Sequence, residues 1–146
     1  MRMLIGAALL LMVSGCGSSP QVTAATTAAA IKAAVPQVQQ VVALNGRNDP
    51  NHLLGRNNGY VAGAVMKDSR IVKCNGRGFG STCGAMIEQW PTANDAKVRM
   101  DYIVRLEKSM PILGSEYDTL RGDLLLRVDG HLSPTQAAVY RAAFLS

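Results

Sequence analysis

Three cysteines offer the clearest chemistry in this 146-residue chain. The first, Cys16, ends the stretch LMVSGC, in which an aliphatic run gives way to Ser14 and Gly15. A short positive start, an apolar run of roughly 7–15 residues and small residues at the cleavage site are typical of a secretory signal peptide. Because spanning a bilayer takes about 20 apolar residues, this run is too short to be a membrane span. We therefore expect residues 1–15 to be a signal peptide.

The four residues Val13-Ser14-Gly15-Cys16 resemble the lipobox of bacterial lipoproteins. The resemblance implies diacylglycerol on the Cys16 thiol and cleavage before Cys16. Each buried lipid methylene contributes about 0.8 kcal/mol, so two or three acyl chains hold a protein stably on a membrane. The sequence thus predicts a lipid anchor at Cys16 and a location on the extracytoplasmic face of the cell membrane. The alternative is an ordinary cleaved signal that ends near a cysteine.

The other two cysteines, Cys74 and Cys83, form an even pair once Cys16 is assigned to the lipid. Such a pair in an exported chain is a disulfide candidate. The intervening NGRGFGST contains three glycines and can turn freely. The alternative is two free thiols. A metal site is not expected, because only His52 and His131 are available to join the pair and neither has ligand spacing.

Positive charge is concentrated around this predicted bridge. The chain carries 15 basic and 10 acidic residues, and removal of residues 1–15 takes away only Arg2. A cluster of cations favours an anionic partner through long-range attraction, and an apolar residue inside the loop adds contact area. The predicted partner-binding residues are Lys67, Arg70, Lys73, Arg77 and Phe79. The alternative is an ordinary basic loop, and nucleic acid is not expected, because no aromatic platform accompanies the charges.

Catalytic signatures are not apparent in the sequence. There is no Gly-x-Ser-x-Gly elbow and no His-Glu-x-x-His motif. Glu88 and Glu116 are available for glycosidase-like chemistry, and His52 for acid–base work, but nothing in the sequence shows that they converge. We expect a non-enzymatic binding protein without cofactor, whose partners are the membrane and a cell-wall glycan or a protein. The alternative is a cell-wall hydrolase with an unrecognised site.

Composition divides the mature chain into two parts. Residues 16–34 are rich in Ala, Thr and Ser and have few large apolar side chains, so we expect a tether that does not pack. Residues 35–146 are the size of one ordinary domain.

Periodicity and capping signals within 35–146 predict seven elements, in the order α-β-β-α-β-β-α. Three helices begin near Pro36, at Ala93 after a Thr92–Asp95 cap, and at Pro134 after a Ser133–Gln136 capping box. Strands are predicted at residues 60–66, at 84–90 as a half-exposed strand, and in a hairpin that turns near Arg121-Gly122. The fold class is therefore α+β, with an antiparallel sheet of about four strands covered by helices on one face.

Several stretches together resemble a family of small lipoproteins found in actinobacteria and in the phages that infect them. They are NDPNHLLGRNNGY, KDSRI, the strand GAMIE, DAKVRMDYI, YDTLRGDLLLRV and LSPTQAAVYRAA. The resemblance covers about residues 45–145 and implies one small domain and a surface location, but no reaction. Asn57 stands where members commonly carry Pro. By analogy with other phage-carried lipoproteins, the resemblance points to a role in blocking infection by related phages.

Overall fold

The computed structural model describes residues 21–72, 74 and 79–146. It shows an α+β fold with three helices and one five-stranded antiparallel sheet, which confirms the predicted class. The helices are α1 (Ala24–Ala34), α2 (Ala93–Ser109) and α3 (Pro134–Leu145), and the strands are β1 (Val38–Ala43), β2 (Ala62–Asp68), β3 (Gly84–Gln89), β4 (Glu116–Arg121) and β5 (Leu124–Asp129). The spatial order of the strands is β1-β2-β3-β5-β4, so β1 and β4 form the two edges.

Local signals account for α2, α3 and the hairpin. The Thr92 side chain accepts a hydrogen bond from the Asp95 amide, and Ser133 and Gln136 form the expected capping box. The hairpin joins β4 to β5 through Gly122 and Asp123, with Gly122 at a φ of 58°. A two-residue turn of this kind commonly needs glycine at its first position.

The prediction of an unpacked tether over residues 16–34 is wrong for residues 24–34, which form α1. Thr23 and Thr26 cap this helix with a reciprocal capping box. Ala24, Ala28 and Ile31 are fully or almost fully buried, on one helical face. Alanines at this spacing allow a helix to approach a sheet closely. Composition alone does not reveal this, because the stabilisation comes from packing rather than from side-chain size.

The predicted helix beginning at Pro36 is also wrong, because Val38–Ala43 forms the edge strand β1. Its partner is β2, with Val42 opposite Val65 and Ala43 opposite Ala64. Valines at 38, 41 and 42 fit one helical face as well as they fit a pleated strand. Pairing with β2 decides between the two, since β-branched residues pack well on a sheet. This strand raises the count from about four to five.

Both faces of the sheet are covered, not one. Helices α1 and α3 pack on the first face, and α2 with the 44–61 loop packs on the second. The predicted half-exposed strand β3 is consequently buried on both sides from Gly84 to Glu88. Core residues of the first face include Ile31, Met66, Ile87, Leu126, Tyr140 and Phe144, and those of the second include Tyr60, Val65, Met86, Trp90, Ile103 and Leu125.

The burial of α1 leads to a stability prediction. Ile31→Ala is expected to lower the free energy of unfolding by about 2–5 kcal/mol, because it leaves a cavity between α1 and the sheet. The neighbouring exposed Lys32→Ala is the matched control and should change stability by less than about 0.5 kcal/mol. Chemical denaturation of both variants provides the test. Equal stabilities for the two would mean that this segment is a tether after all.

Candidate functional site

The domain has two ends, one at each end of its strands, which we call the entry end and the distal end. The entry end contains Ala24, Gln89 and Asp123, where the Gln89 side chain accepts from the Ala24 amide and donates to Asp123. The distal end contains Asp68 and Gly84, because Lys67 of β2 lies opposite Gly84 of β3. Six residues of β3 separate the two ends by about 17–20 Å.

The predicted disulfide between Cys74 and Cys83 is confirmed, and it lies at the distal end. The two Cα atoms are 4.6 Å apart. Cys83 belongs to a single 3₁₀ turn, Ser81–Cys83, that leads directly into β3, and it is fully buried. The bridge therefore fixes the loop that contains Cys74 to the core of the sheet.

The predicted partner-binding residues have different surroundings. Arg70 forms an ion pair with buried Asp68, with its Nε 2.8 Å from Oδ1, and Phe79 packs against the core of the second face. Lys67 lies on β2 and is partly exposed. Lys73 and Arg77 fall outside the described residues, as does Cys16. Of the described members of the set, Arg70 and Phe79 thus have structural contacts of their own.

Asp68 links the distal end to α3. Its carboxylate accepts a hydrogen bond of 2.6 Å from the Tyr140 hydroxyl in addition to the Arg70 pair. Burial alone raises the pKa of Asp68, but the hydrogen bonds from Arg70 and Tyr140 outweigh it and hold the pKa below its ordinary value. Burial and the hydrogen bond to Asp68 also raise the pKa of the Tyr140 hydroxyl. Asp68 therefore acts as a structural anion at the distal end, where it joins Arg70 and Tyr140.

A second group of charges is buried between the sheet and α2, and its centre is Glu88. The Glu88 side chain is fully buried, and its carboxylate accepts hydrogen bonds from Arg127 Nη1 at 2.7 Å and Trp90 Nε1 at 3.1 Å. Arg99 of α2 donates at 3.3 Å from Nε, and Asn51 at 3.3 Å from Nδ2. Both oxygens of Glu88 are therefore engaged.

Arg127 joins Glu88 to Glu116. Its Nε and Nη2 contact the two oxygens of Glu116 at 2.7 and 2.8 Å, and Ser81 Oγ donates to Glu116 at 2.6 Å. Burial of Arg127 lowers its pKa, but attraction to Glu88 and Glu116 outweighs that effect and raises the pKa overall. The structure thus brings Glu88 and Glu116 together, which the sequence did not show, but both carboxylates are held by the same guanidinium.

Asp118 is the exception in this group. It lies opposite Arg127 in the β4–β5 register, yet its Oδ1 is buried and accepts no hydrogen bond. Burial is the largest cause and repulsion from Glu116 the second, and they raise the pKa of Asp118 to about 7. This carboxyl is therefore only partly ionised at neutral pH.

A polar cavity of about 310 Å³ opens beside the ion group towards the distal end. One wall is apolar and comes from α2 and the turn after it, with Tyr102, Leu106 and Leu113. The opposite wall carries Glu116 and Arg127. The cavity is concave and mixed in character, as small ligand sites commonly are.

The two histidines and the predicted hairpin turn have local roles. His131 lies after β5, and its Nδ1 is 2.7 Å from Asp129 Oδ1. His52 occupies a left-handed turn with a φ of 54° in the 44–61 loop. Gly122 and Asp123 form the turn of the hairpin, while Arg121 donates to the backbone oxygen of Phe144 at 2.7 Å.

Sequence reasoning missed the residue that organises the 44–61 loop. Asp49 is buried and accepts from the amides of Leu53 and Leu54 at 2.7 and 2.8 Å, and from the Tyr60 hydroxyl. Burial raises the pKa of Asp49, but these hydrogen bonds outweigh it and lower the pKa overall. The signal in the sequence is an Asp followed by Pro50 in a run dense in Asn and Gly, which is typical of side-chain-stabilised turns.

Across residues 21–72, 74 and 79–146, no helix is long and apolar enough to cross a membrane. Over those same residues, no group of three or more His, Cys, Asp or Glu side chains is arranged to hold a metal ion. No protein-family model matches the chain, and comparisons with curated proteins and with solved structures find no match.

Proposed function

We propose that this protein is a lipid-anchored, non-enzymatic binding protein on the extracytoplasmic face of the cell membrane. The observation that carries the proposal is the position of the Cys74–Cys83 disulfide at the distal end, while the chain enters the domain at the opposite end through Ala24. A lipid on Cys16 would hold the entry end towards the bilayer and direct the loop outward, towards the wall or an approaching particle.

The packing of α1 makes the proposed orientation more specific, because it shortens the segment that joins Cys16 to the domain. Only residues 17–23 lie between Cys16 and the start of α1 at Ala24, and the eight Cα-to-Cα steps from 16 to 24 span at most about 28 Å. The domain would therefore stay close to the bilayer with its distal end outermost. This orientation favours an anionic partner beyond the membrane, such as a phosphorylated wall glycan or the acidic face of a phage protein, over lipid headgroups.

The disulfide supports the location. Such bonds persist in oxidising compartments and are rare in the cytosol. Closing the short loop between Cys74 and Cys83 contributes roughly 2–3 kcal/mol to stability in the chain-entropy model, and it ties Cys74 to the turn that leads into β3.

The hydrolase alternative finds less support at Glu88 and Glu116, the two carboxylates that the sequence offered for it. A general acid needs a proton and access to the substrate. Glu88 is fully buried with both oxygens engaged, and Glu116 is held through both oxygens by Arg127. These two carboxylates therefore behave as an ion network that supports the sheet, and a catalytic role would require Arg127 to release them.

The test uses a triple variant in which Lys67, Lys73 and Arg77 are replaced by Ser. Arg70 is left intact, because its pairing with Asp68 belongs to the fold. We expect at least a tenfold loss in the pulldown of purified anionic wall glycan and in the protection of cells against infecting phage, with the same loss for wild type in high salt.

The matched control replaces three exposed cations on helices, Lys32, Lys97 and Arg141, by Ser. This control lowers the net charge equally but leaves the distal end unchanged. Wild-type activity of the loop variant in both assays, or equal losses for loop and control variants, would reject the loop as the binding surface.

A further inference from the structure

A groove runs along the outer edge of the sheet. It has a volume of about 540 Å³, and its floor is β4 itself, from Tyr117 to Leu120. Met100 of α2 forms one side, and Ala137 and Leu145 of α3 form the other. The groove therefore has the length of a short strand, with mostly apolar side chains on both sides of an edge strand, and Arg141 of α3 also lines it.

The backbone of β4 offers hydrogen-bonding groups to this groove. Gly130 donates to the Ser115 oxygen at 2.9 Å, and Arg121 closes the hairpin opposite Leu124. In an antiparallel pair, alternate residues exchange backbone hydrogen bonds with the neighbouring strand. Because Ser115 bonds to Gly130, the backbone N–H and C=O groups of the odd-numbered residues of β4 point towards β5. Asp118 and Leu120 then direct their N–H and C=O groups outward, where no further strand lies within the described part of the chain.

The Asp118 carboxyl makes the β4 edge selective for a partner strand that carries a cation. Asp118 lines the groove, and its Oδ1 is buried without a hydrogen-bond donor. The charged groups that act on it are Glu116 on β4, Glu107 on α2, Glu88 on β3 and Arg127 on β5, and Arg127 already pairs with Glu88 and Glu116. Arg141 of α3 also lines the groove, on the exposed side of its helix. A strand that brings no cation would cover this carboxyl in its protonated form, whereas one with Lys or Arg at that position would favour the ionised form and pair with it.

We propose that the β4 edge is a docking site for an extended peptide segment of a partner protein, which adds a sixth strand and places a Lys or Arg side chain against Asp118. Backbone hydrogen bonds would supply affinity and the alternating side chains selectivity, as in other strand-addition complexes. This inference does not depend on the bridged loop or on the lipid anchor.

A second copy of this chain is a poorer occupant. Two registers pair five residues of β4 with a second copy, and they place Asp118 opposite either Asp118 or Leu120. Neither register brings a cation to Asp118, and in the first the two facing carboxyls repel each other wherever both are ionised. Charge complementarity therefore favours a cationic partner strand over self-association.

The probe is a capped seven-residue peptide, Thr-Val-Thr-Lys-Thr-Val-Thr, compared with the same peptide carrying Met at its centre. Binding to full-length protein in detergent is followed by fluorescence anisotropy. We expect the Lys peptide to bind at least tenfold more tightly than the Met peptide. Asp118→Asn should abolish this preference, whereas the control Asp101→Asn, on the exposed side of α2, should retain it.

A backbone test avoids any change to the protein. Two versions of the Lys peptide carry N-methyl groups on alternate amides, one on the even and one on the odd positions. Strand addition predicts that one version loses binding while the other retains it, because only alternate amides face β4. Absence of binding by the unmethylated Lys peptide, equal binding of Lys and Met peptides, or equal effects of the two methylation patterns would each overturn the proposal.

Discussion

Replacing Glu88 by Gln is expected to lower the free energy of unfolding by about 3–5 kcal/mol. The change removes the charge that faces Arg127 at 2.7 Å and Arg99 at 3.3 Å, in a position with no access to water. Removing one partner of a buried ion pair is costly, because the remaining charge stays buried without full compensation. Urea denaturation at neutral pH, monitored by the fluorescence of Trp90, measures the effect.

Two further variants separate this explanation from a general loss of packing. Glu107→Gln makes the same chemical change at a partly exposed position of α2 and should cost less than about 1 kcal/mol. The double variant Glu88→Gln with Arg127→Met should be destabilised by less than the sum of its single variants, because the two side chains interact directly. Strict additivity, or a cost below about 1 kcal/mol for Glu88→Gln, would contradict the network.

The stability of the wild-type protein is expected to fall as the pH rises from about 4 to about 7. The raised pKa of Asp118, about 7, means that the folded state binds a proton which the unfolded state has already released in this interval. Stability then decreases with pH until the pKa of the folded state is passed, and changes little from this group above it. The decrease attributable to Asp118 approaches roughly 4 kcal/mol as an upper bound.

Asp118→Asn removes this titration and should flatten the pH profile between 4 and 7, making the variant more stable than wild type at pH 8. The control Asp101→Asn should keep the wild-type slope. Asp68 and Asp49 act in the opposite sense, since the pKa of each is lowered and their contribution is lost only in more acidic solution. An unchanged slope in Asp118→Asn would show that the carboxyl is ionised in the folded protein at neutral pH.

Elements with local signals were predictable from the sequence. Caps at Thr92 and Ser133 place the starts of α2 and α3 correctly, and the Gly122 turn places the hairpin. The first two elements were not predictable, because α1 is stabilised by close packing of small side chains and β1 by pairing with β2. Both depend on tertiary contacts that composition and periodicity do not contain.

The same division applies to the sites. The cysteine count and the expectation of an exported chain were enough to predict the Cys74–Cys83 bond. The ion network was missed because it depends on the register of β3, β5 and β4, which brings Glu88, Arg127 and Glu116 to one face. A usable signal was present: Glu88 and Arg127 each interrupt an apolar strand, and charges in such positions are seldom buried without partners.

The most direct test of the lipid-anchored binding protein is the intact mass of the protein isolated from the membrane fraction without reduction. We expect a mature chain that begins at Cys16, carries diacylglycerol on that residue and has Cys74 joined to Cys83. The variant Cys16→Ser should remain an unprocessed precursor or leave the membrane fraction. An unlipidated mature chain, or a Cys16→Ser variant that is processed and partitions like wild type, would contradict the anchor and with it the outward orientation of the distal end.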